Sequence, residues 1–462
     1  LEADRLSVEG LDARVLGMPL AGGMSLSFGA GKPPVVDLAL SGSGIDLSEL
    51  KKVYPDLGEV SGQVDKFSVK LAGTADTLSG VVEFSAPKLG VMGYTVTESR
   101  AQVKLTPAAA SLSAKSQFEG AAITAQGTIG DYMTAPKLDL TANIRNINLA
   151  KAAASFPHLK DLALQGGAHA DVSVKGTSAA PDVSVKAWSE KISVMKELLE
   201  SPSATISVKG DSVTVSKAEA KWRGAAISLS GTVGGGDKLN ITAVMDNLQP
   251  AALAPFYPDI AQYGIKGAVT AKAVVTGSAK APRIDLALSS ANLGIKDATL
   301  KGLKASTSLA GDLKALDKAD LDLDVSAASA SAAGLGFSDI SVKLKKAGNK
   351  INVQSASARS GAGSLSASGS IALPAKAGDK GGLDLSVSIS KADLAAVSTA
   401  GGLGVQLAGV LDGSVTLKGA LDSPSMAVKA AYPKVLAAGM TATDLTASLS
   451  GSAARMVIAE LR

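Results

Sequence analysis

His158 and His169 are the only histidines in 462 residues, and there is no cysteine. A zinc centre needs three or four nitrogen, sulfur or carboxylate ligands, so these two residues do not make one. Strand parity places His169 with Asp171, Ser173 and Lys175 on a polar face, while His158 follows Phe156-Pro157 at a helix end. Both are expected at the surface. Gly29-Ala30-Gly31-Lys32 has part of a phosphate loop, but Leu26 stands where the first glycine is needed and Pro33 where Ser or Thr is needed. It reads as a turn. No Gly-x-Ser-x-Gly elbow occurs. Gly402-Leu403-Gly404 lacks the third glycine and the preceding buried strand of a dinucleotide site. The Asp-rich stretch Asp317 to Asp324 alternates with Leu321 and Leu323, a solvated strand face without the glycine of a calcium loop. Trp188 and Trp222 have no aromatic ladder on which single-stranded bases would stack. No enzyme, metal or cofactor is expected.

Charge gives the same answer for nucleic acid. Lys plus Arg number 46 and Asp plus Glu 42, a net charge of +4 spread without blocks. Phosphate backbones are held by clustered cations. Without cysteine the chain has no disulfide framework and suits an oxidising compartment equally well. The longest uncharged run, Leu394 to Leu411, holds Gly401, Gly402, Gly404, Gly409 and Gln406. It is too polar for a membrane span, which needs about 20 predominantly apolar residues.

The elements behind these residues repeat. Gly224 to Gly231 is a strand of alternating apolar and hydroxyl residues between two glycines, and Gly120 to Gly127, Gly22 to Gly29 and Gly361 to Gly369 are versions of it. The closing glycines lie 98, 104 and 138 residues apart. Tyr54-Pro55, Phe156-Pro157 and Tyr257-Pro258 step by 102 and 101, and Gly73, Gly176, Gly277 and Gly419 by 103, 101 and 142. Three markers thus agree on a unit of about 100 residues, one copy being longer. The units are 1–57 (partial), 58–162, 163–263, 264–406 (the longer one) and 407–462 (partial), stacked as one elongated body. Leu1 falls partway through a unit, so the chain reads as an excerpt of a longer repetitive protein.

Within each unit, strands alternate strictly, as in Asp171-Val172-Ser173-Val174-Lys175 and Pro181-Asp182-Val183-Ser184-Val185. One short helix per unit is expected, at Asp46–Tyr54 and at Leu248–Pro258, the latter with Pro250 in its first turn. Lys191 to Glu200 has helical spacing at Ile192, Met195, Leu198 and Leu199, but the repeat register favours strands with a turn. The fold class is therefore all-β, an elongated antiparallel sheet. Its apolar face must leave water, because burial is worth roughly 25 cal/mol per Å². Short helices cannot cover so many strands. A two-sheet sandwich, a coil with a dry core and a curled sheet whose groove a ligand fills all remain open. Phe, Trp and Tyr number 7, 2 and 6, too few for the aromatic girdles of a transmembrane barrel.

The Gly-Thr-[Ile/Val]-Gly steps at Gln126–Gly130 and Ser230–Gly234, and the elements Gly176…Pro181-Asp182-Val183-Ser184-Val185 and Gly277…Pro282-Arg283-Ile284-Asp285-Leu286, carry a resemblance. With the alternating strands they resemble the AsmA-like family, the TamB translocation-and-assembly subunits included. The resemblance covers nearly the whole chain. It implies a taco-like β-groove in the periplasm of a Gram-negative-type bacterium, anchored in the inner membrane by a segment outside these residues and conducting phospholipid toward the outer membrane. The residues then expected to touch acyl chains are Val172, Val174, Val183, Val185, Ile206, Val208, Val213, Val215, Ile227, Leu229, Leu239 and Ile241. From the pattern alone, the same twelve would make an ordinary sandwich core. Two other roles share the pattern: assembly of outer-membrane proteins by strand pairing with an outer-membrane partner, and a dry-cored surface adhesin or stalk.

Overall fold

The computed structural model describes residues 4–15, 18–49, 59–91, 93–132, 134–310, 321–332, 334–374, 379–396, 407–437, 440–452 and 455–462. The chain divides into two compact units, Leu1–Trp222 and Arg223–Arg462. Each is an antiparallel sheet built from consecutive hairpins. The first runs from strand Arg5–Val15 to strand Ser212–Trp222, and the second from Ala225–Gly234 to Arg455–Leu461. The all-β expectation holds. Gly29 to Lys32 is a hairpin turn, as its residues required. Lys191–Val194 and Glu197–Lys209 are paired strands, so the repeat register overrode the helical spacing there.

The helices differ from expectation. Leu149–Ser155 is a true α-helix, α1, whose first turn is capped by the side chain of Asn148 accepting from the Lys151 amide. The stretch expected to be one helix at Leu248–Pro258 is instead strand to Leu248, followed by two separate 3-10 helices, Pro250–Leu253 and Pro258–Tyr263. Proline is tolerated only in a first turn because it has no N–H, so Pro250 and Pro258 each start a turn and forbid a helix running through both. In the Asp46–Tyr54 stretch Asp46 closes a strand and 47–49 are helical. The rest of that stretch, and Gly402-Leu403-Gly404, lie outside the described residues. No helix among the described residues is long and apolar enough to cross a membrane.

A structural repeat precedes these crossovers. Asn146, Asn247 and Lys391 have φ of 59°, 58° and 50°. Each belongs to a bulge in which two residues face one, His169, Thr270 or Asp412. A bulge sharpens the local twist and re-aims the strand end. Helical turns begin at Leu149 and Pro250, and at residue 394, three residues after each bulge. Asparagine suits the left-handed conformation because its short amide bonds locally.

The closing glycines have a steric reason. Gly127, Gly231 and Gly369 have φ of +149°, +146° and +138°, and a Cβ there would lie 2.2, 2.2 and 2.1 Å from the carbonyl oxygens of Asp139, Asn240 and Asp384. Gly29 has no such constraint. In the first copy the same close approach occurs at Gly22, whose Cβ would lie 2.0 Å from the Ala39 oxygen.

On the polar face, opposite charges lie across strand pairs: Lys175 with Asp139 (3.6 Å), Lys209 with Asp182 (3.3 Å) and Lys418 with Asp384 (3.6 Å). The hydroxyl of Ser308, and then the Arg283 guanidinium, hold the Asp285 carboxyl below its ordinary value. His169 is on this face but only half exposed. The bulge at Asn146 lets the Asn146 amide donate to His169 Nδ1 (3.3 Å), and the imidazole lies 5.6 Å from the Trp188 ring, which Arg145 covers from 5.0 Å. Only the partial burial was unexpected; the side chain of His158 is not described.

Candidate functional site

Register brings the apolar residues into rows that cross the strands. In the Leu1–Trp222 unit one row reads Val69, Val82, Val103, Leu112, Gly127, Leu140, Val174, Val183, Val208, Val213. Beside it runs Phe67, Phe84, Ala101, Ala114, Ala125, Ala142, Val172, Val185, Ile206, Val215. Eight of the twelve expected residues thus occupy the ends of two adjacent rows. The hairpin turn at Thr177–Ala180 sets the match, pairing Val174 with Val183 and Val172 with Val185.

In the Arg223–Arg462 unit Ile227 opens a row through Met245, Ala271, Leu288, Ala305, Val325, Val342, Ala356, Ala367, Val387, Val415, Val428 and Leu449. Leu229 opens the next, through Ala243, Ala273, Leu286, Thr307, Leu323, Leu344, Val353, Gly369, Leu385, Leu417 and Met426. Ile241 and Leu239 face the same side, opposite Gly231 and Val233. None of these four rows carries a charge. The sequence reading stopped at Ile241 and so missed Met245, Leu286 and Leu288, although Ile284-Asp285-Leu286-Ala287-Leu288 shows the same alternation.

These rows are not a dry core. Eleven of the twelve residues are half-buried and Leu229 is 36% exposed. No large side chain among the described residues is fully buried. Real burial occurs elsewhere: Ala153, Leu248 and Leu394 lie in or beside helical crossovers. A second sheet packed on the rows would have sealed them, as in a sandwich. Instead a cavity of about 390 Å³ opens on the apolar face of the Arg223–Arg462 unit. Residues of six strands line it, including Ile227, Met245, Ala271, Leu286, Ala305 and Leu323.

Thr307 is the one hydroxyl in the rows, between Leu286 and Leu323. Its Oγ1 is buried without a hydrogen-bond partner. An unsatisfied hydroxyl costs roughly 1–3 kcal/mol, and valine has the same shape and a comparable strand preference. Thr307→Val is therefore expected to raise the thermal midpoint of this unit by about 2–12 °C, measured by circular dichroism; a fall would mean the hydroxyl is satisfied in solution.

Among the described residues no three His, Asp or Glu side chains are placed to hold a metal ion. The arrangement offers non-directional contact along a strip several strands long, with no fixed polar group to orient a reacting atom. No family model matches the chain, and no curated protein matches it significantly.

Proposed function

We propose that this chain is a non-enzymatic lipid conductor that holds phospholipid acyl chains along the apolar face of each unit and serves outer-membrane biogenesis from the periplasm. One observation carries the reading: charge-free apolar rows cross the strands and stay half-open, with no layer among the described residues sealing them. Apolar area left in water is unfavourable by roughly 25 cal/mol per Å², and a long chain of methylenes matches a strip that has width and length but no fixed polar partners. The absence of charge along the rows lets such a chain slide, since each position is nearly equivalent to the next. The resemblance to the AsmA-like family supports the same role, and with it the inner-membrane anchor and the outer-membrane destination.

The test is mass spectrometry of lipids that co-purify with the 462-residue chain, beside a Val174→Glu/Leu229→Glu variant. The parent is expected to carry phospholipid, and the folded variant several-fold less. A detergent-free, folded parent without lipid would sink the reading and favour a stalk.

A further inference from the structure

The polar face of the Leu1–Trp222 unit has a place where two like charges are direct cross-strand partners. Register lines up Lys66, Ser85, Arg100 and Lys115 on four successive strands. Arg100 and Lys115 are direct cross-strand partners, a like-charge placement that destabilises a sheet. Other lysines of this face sit across from aspartates, as at Asp139–Lys175 and Asp182–Lys209, or across from neutral residues, as Lys70 and Lys104 do at Val81. Among the described residues none of Lys66, Arg100 and Lys115 has an ion-pair partner.

The nearby carboxylates are engaged by neutral groups. Glu83 accepts from the Gln102 amide (2.5 Å) and from Ser68 Oγ (3.5 Å), and Glu98 accepts from the Gln117 amide (2.6 Å). The glutamine amides orient these two acids, and neither acid makes an ion pair with Lys66, Arg100 or Lys115. The three cations border a hollow of about 570 Å³, lined also by Ser68, Ser85, Ser113, Gln102 and one carboxylate, Glu83, so cations outnumber acids three to one in its lining. Two residue rows of the polar face contribute to it, with Phe67, Phe84, Ala101 and Ala114 between them at backbone level, so it opens on the side opposite the apolar rows.

We propose that this hollow binds a ligand carrying two or more phosphate groups. Natural sequences keep a local conflict where function requires it, and three cations without ion-pair partners, beside serine hydroxyls and a single carboxylate, leave an excess of positive charge that complements oxyanions. Arg100 offers a planar fork that grips a phosphate through two parallel hydrogen bonds, and Lys115 adds a point charge one strand away. With strands about 4.8 Å apart, Lys66 lies about 10 Å from Arg100. One phosphate spans Arg100 and Lys115; reaching Lys66 takes a second. The site is independent of what occupies the apolar face, so lipid binding there and phosphate binding here fail or succeed separately.

The probe is inorganic tripolyphosphate, titrated calorimetrically into the full chain beside orthophosphate, with vesicle flotation on phosphatidylcholine alone or mixed with phosphatidic acid. Tripolyphosphate is expected to bind at least tenfold more tightly than orthophosphate. Arg100→Gln and Lys66→Gln/Lys115→Gln should lose that binding at least tenfold, while Lys175→Gln, removing one charge from the same face, should not. Binding only to phosphatidic acid vesicles, lost in the same variants, supports the site and assigns the phosphates to a membrane surface. Binding only to tripolyphosphate supports it and assigns them to a soluble ligand. No binding to either, or binding that Arg100→Gln leaves intact, overturns the proposal. Loss of fold is separable, because Arg100→Gln relieves the repulsion from Lys115 and should melt no lower than the parent.

Discussion

Gly231→Val is expected to lower the unfolding midpoint of the Arg223–Arg462 unit by about 10 °C, whereas Gly234→Val, three residues along the same strand, should leave it nearly unchanged. Gly231 combines two obstacles. Its φ of +146° is a conformation that L side chains rarely adopt, and its Cβ would lie 2.2 Å from the Asn240 oxygen. Neither can relax cheaply, because Gly231 and Ile241 are paired across the ladder and Asn240 precedes that pair. Strained backbone costs roughly 1–3 kcal/mol, and a backbone clash adds to it, so a total of about 3–4 kcal/mol is expected. At 2–4 °C per kcal/mol for a unit of this size, that is about 10 °C. Gly234 has a negative φ and open space around its Cβ, and valine is favoured in strands. Equal midpoints for the two variants would mean that the strand relaxes around a side chain at 231.

The contrast between these two glycines shows what the sequence alone can and cannot yield. Repetition made Gly231 and Gly127 visible as markers, but only cross-strand register reveals that each faces a carbonyl oxygen, and that Gly29 does not. Alternation assigned Val172, Val174, Val183 and Val185 to one face because side chains reverse at every residue. It could not say whether another sheet covers that face, which depends on contacts between distant residues. Proline chemistry was legible at Pro250 as a helix start, yet the second start at Pro258 splits the stretch into two turns. The bulges at Asn146 and Asn247 were legible in principle, through asparagine's tolerance of the left-handed region, but Lys391 holds the same place with no sequence signal. Thr307 gave none either: a hydroxyl in an alternating strand looks like any other polar-face residue until its register partners, Leu286 and Leu323, are known.

The two faces of one strand supply the sharpest test of the lipid reading. Val183→Glu is expected to reduce co-purifying phospholipid at least fivefold, while Ser184→Glu, the next residue, should leave it within about 20% of the parent; ΔΔG values near 1 kcal/mol correspond to factors of about five. Val183 lies in an apolar row between Val174 and Val208, and Ser184 lies on the opposite face between Ser173 and Ser207. A carboxylate at 183 would have to stay hydrated, so acyl chains could no longer cross that part of the strip without stripping water from the charge. At 184 the same carboxylate points into solvent, on a strand face that already carries Asp182 and Lys186. The pair controls for net charge and for position along the chain, leaving the face as the main variable. Quantitative lipid mass spectrometry on both folded variants decides it. Equal loss from the two would assign the effect to charge rather than to contact, and equal retention would remove the rows from the lipid path. Because Val183 is only half-buried, its glutamate variant gives up little packing, so a folded protein is available for the measurement.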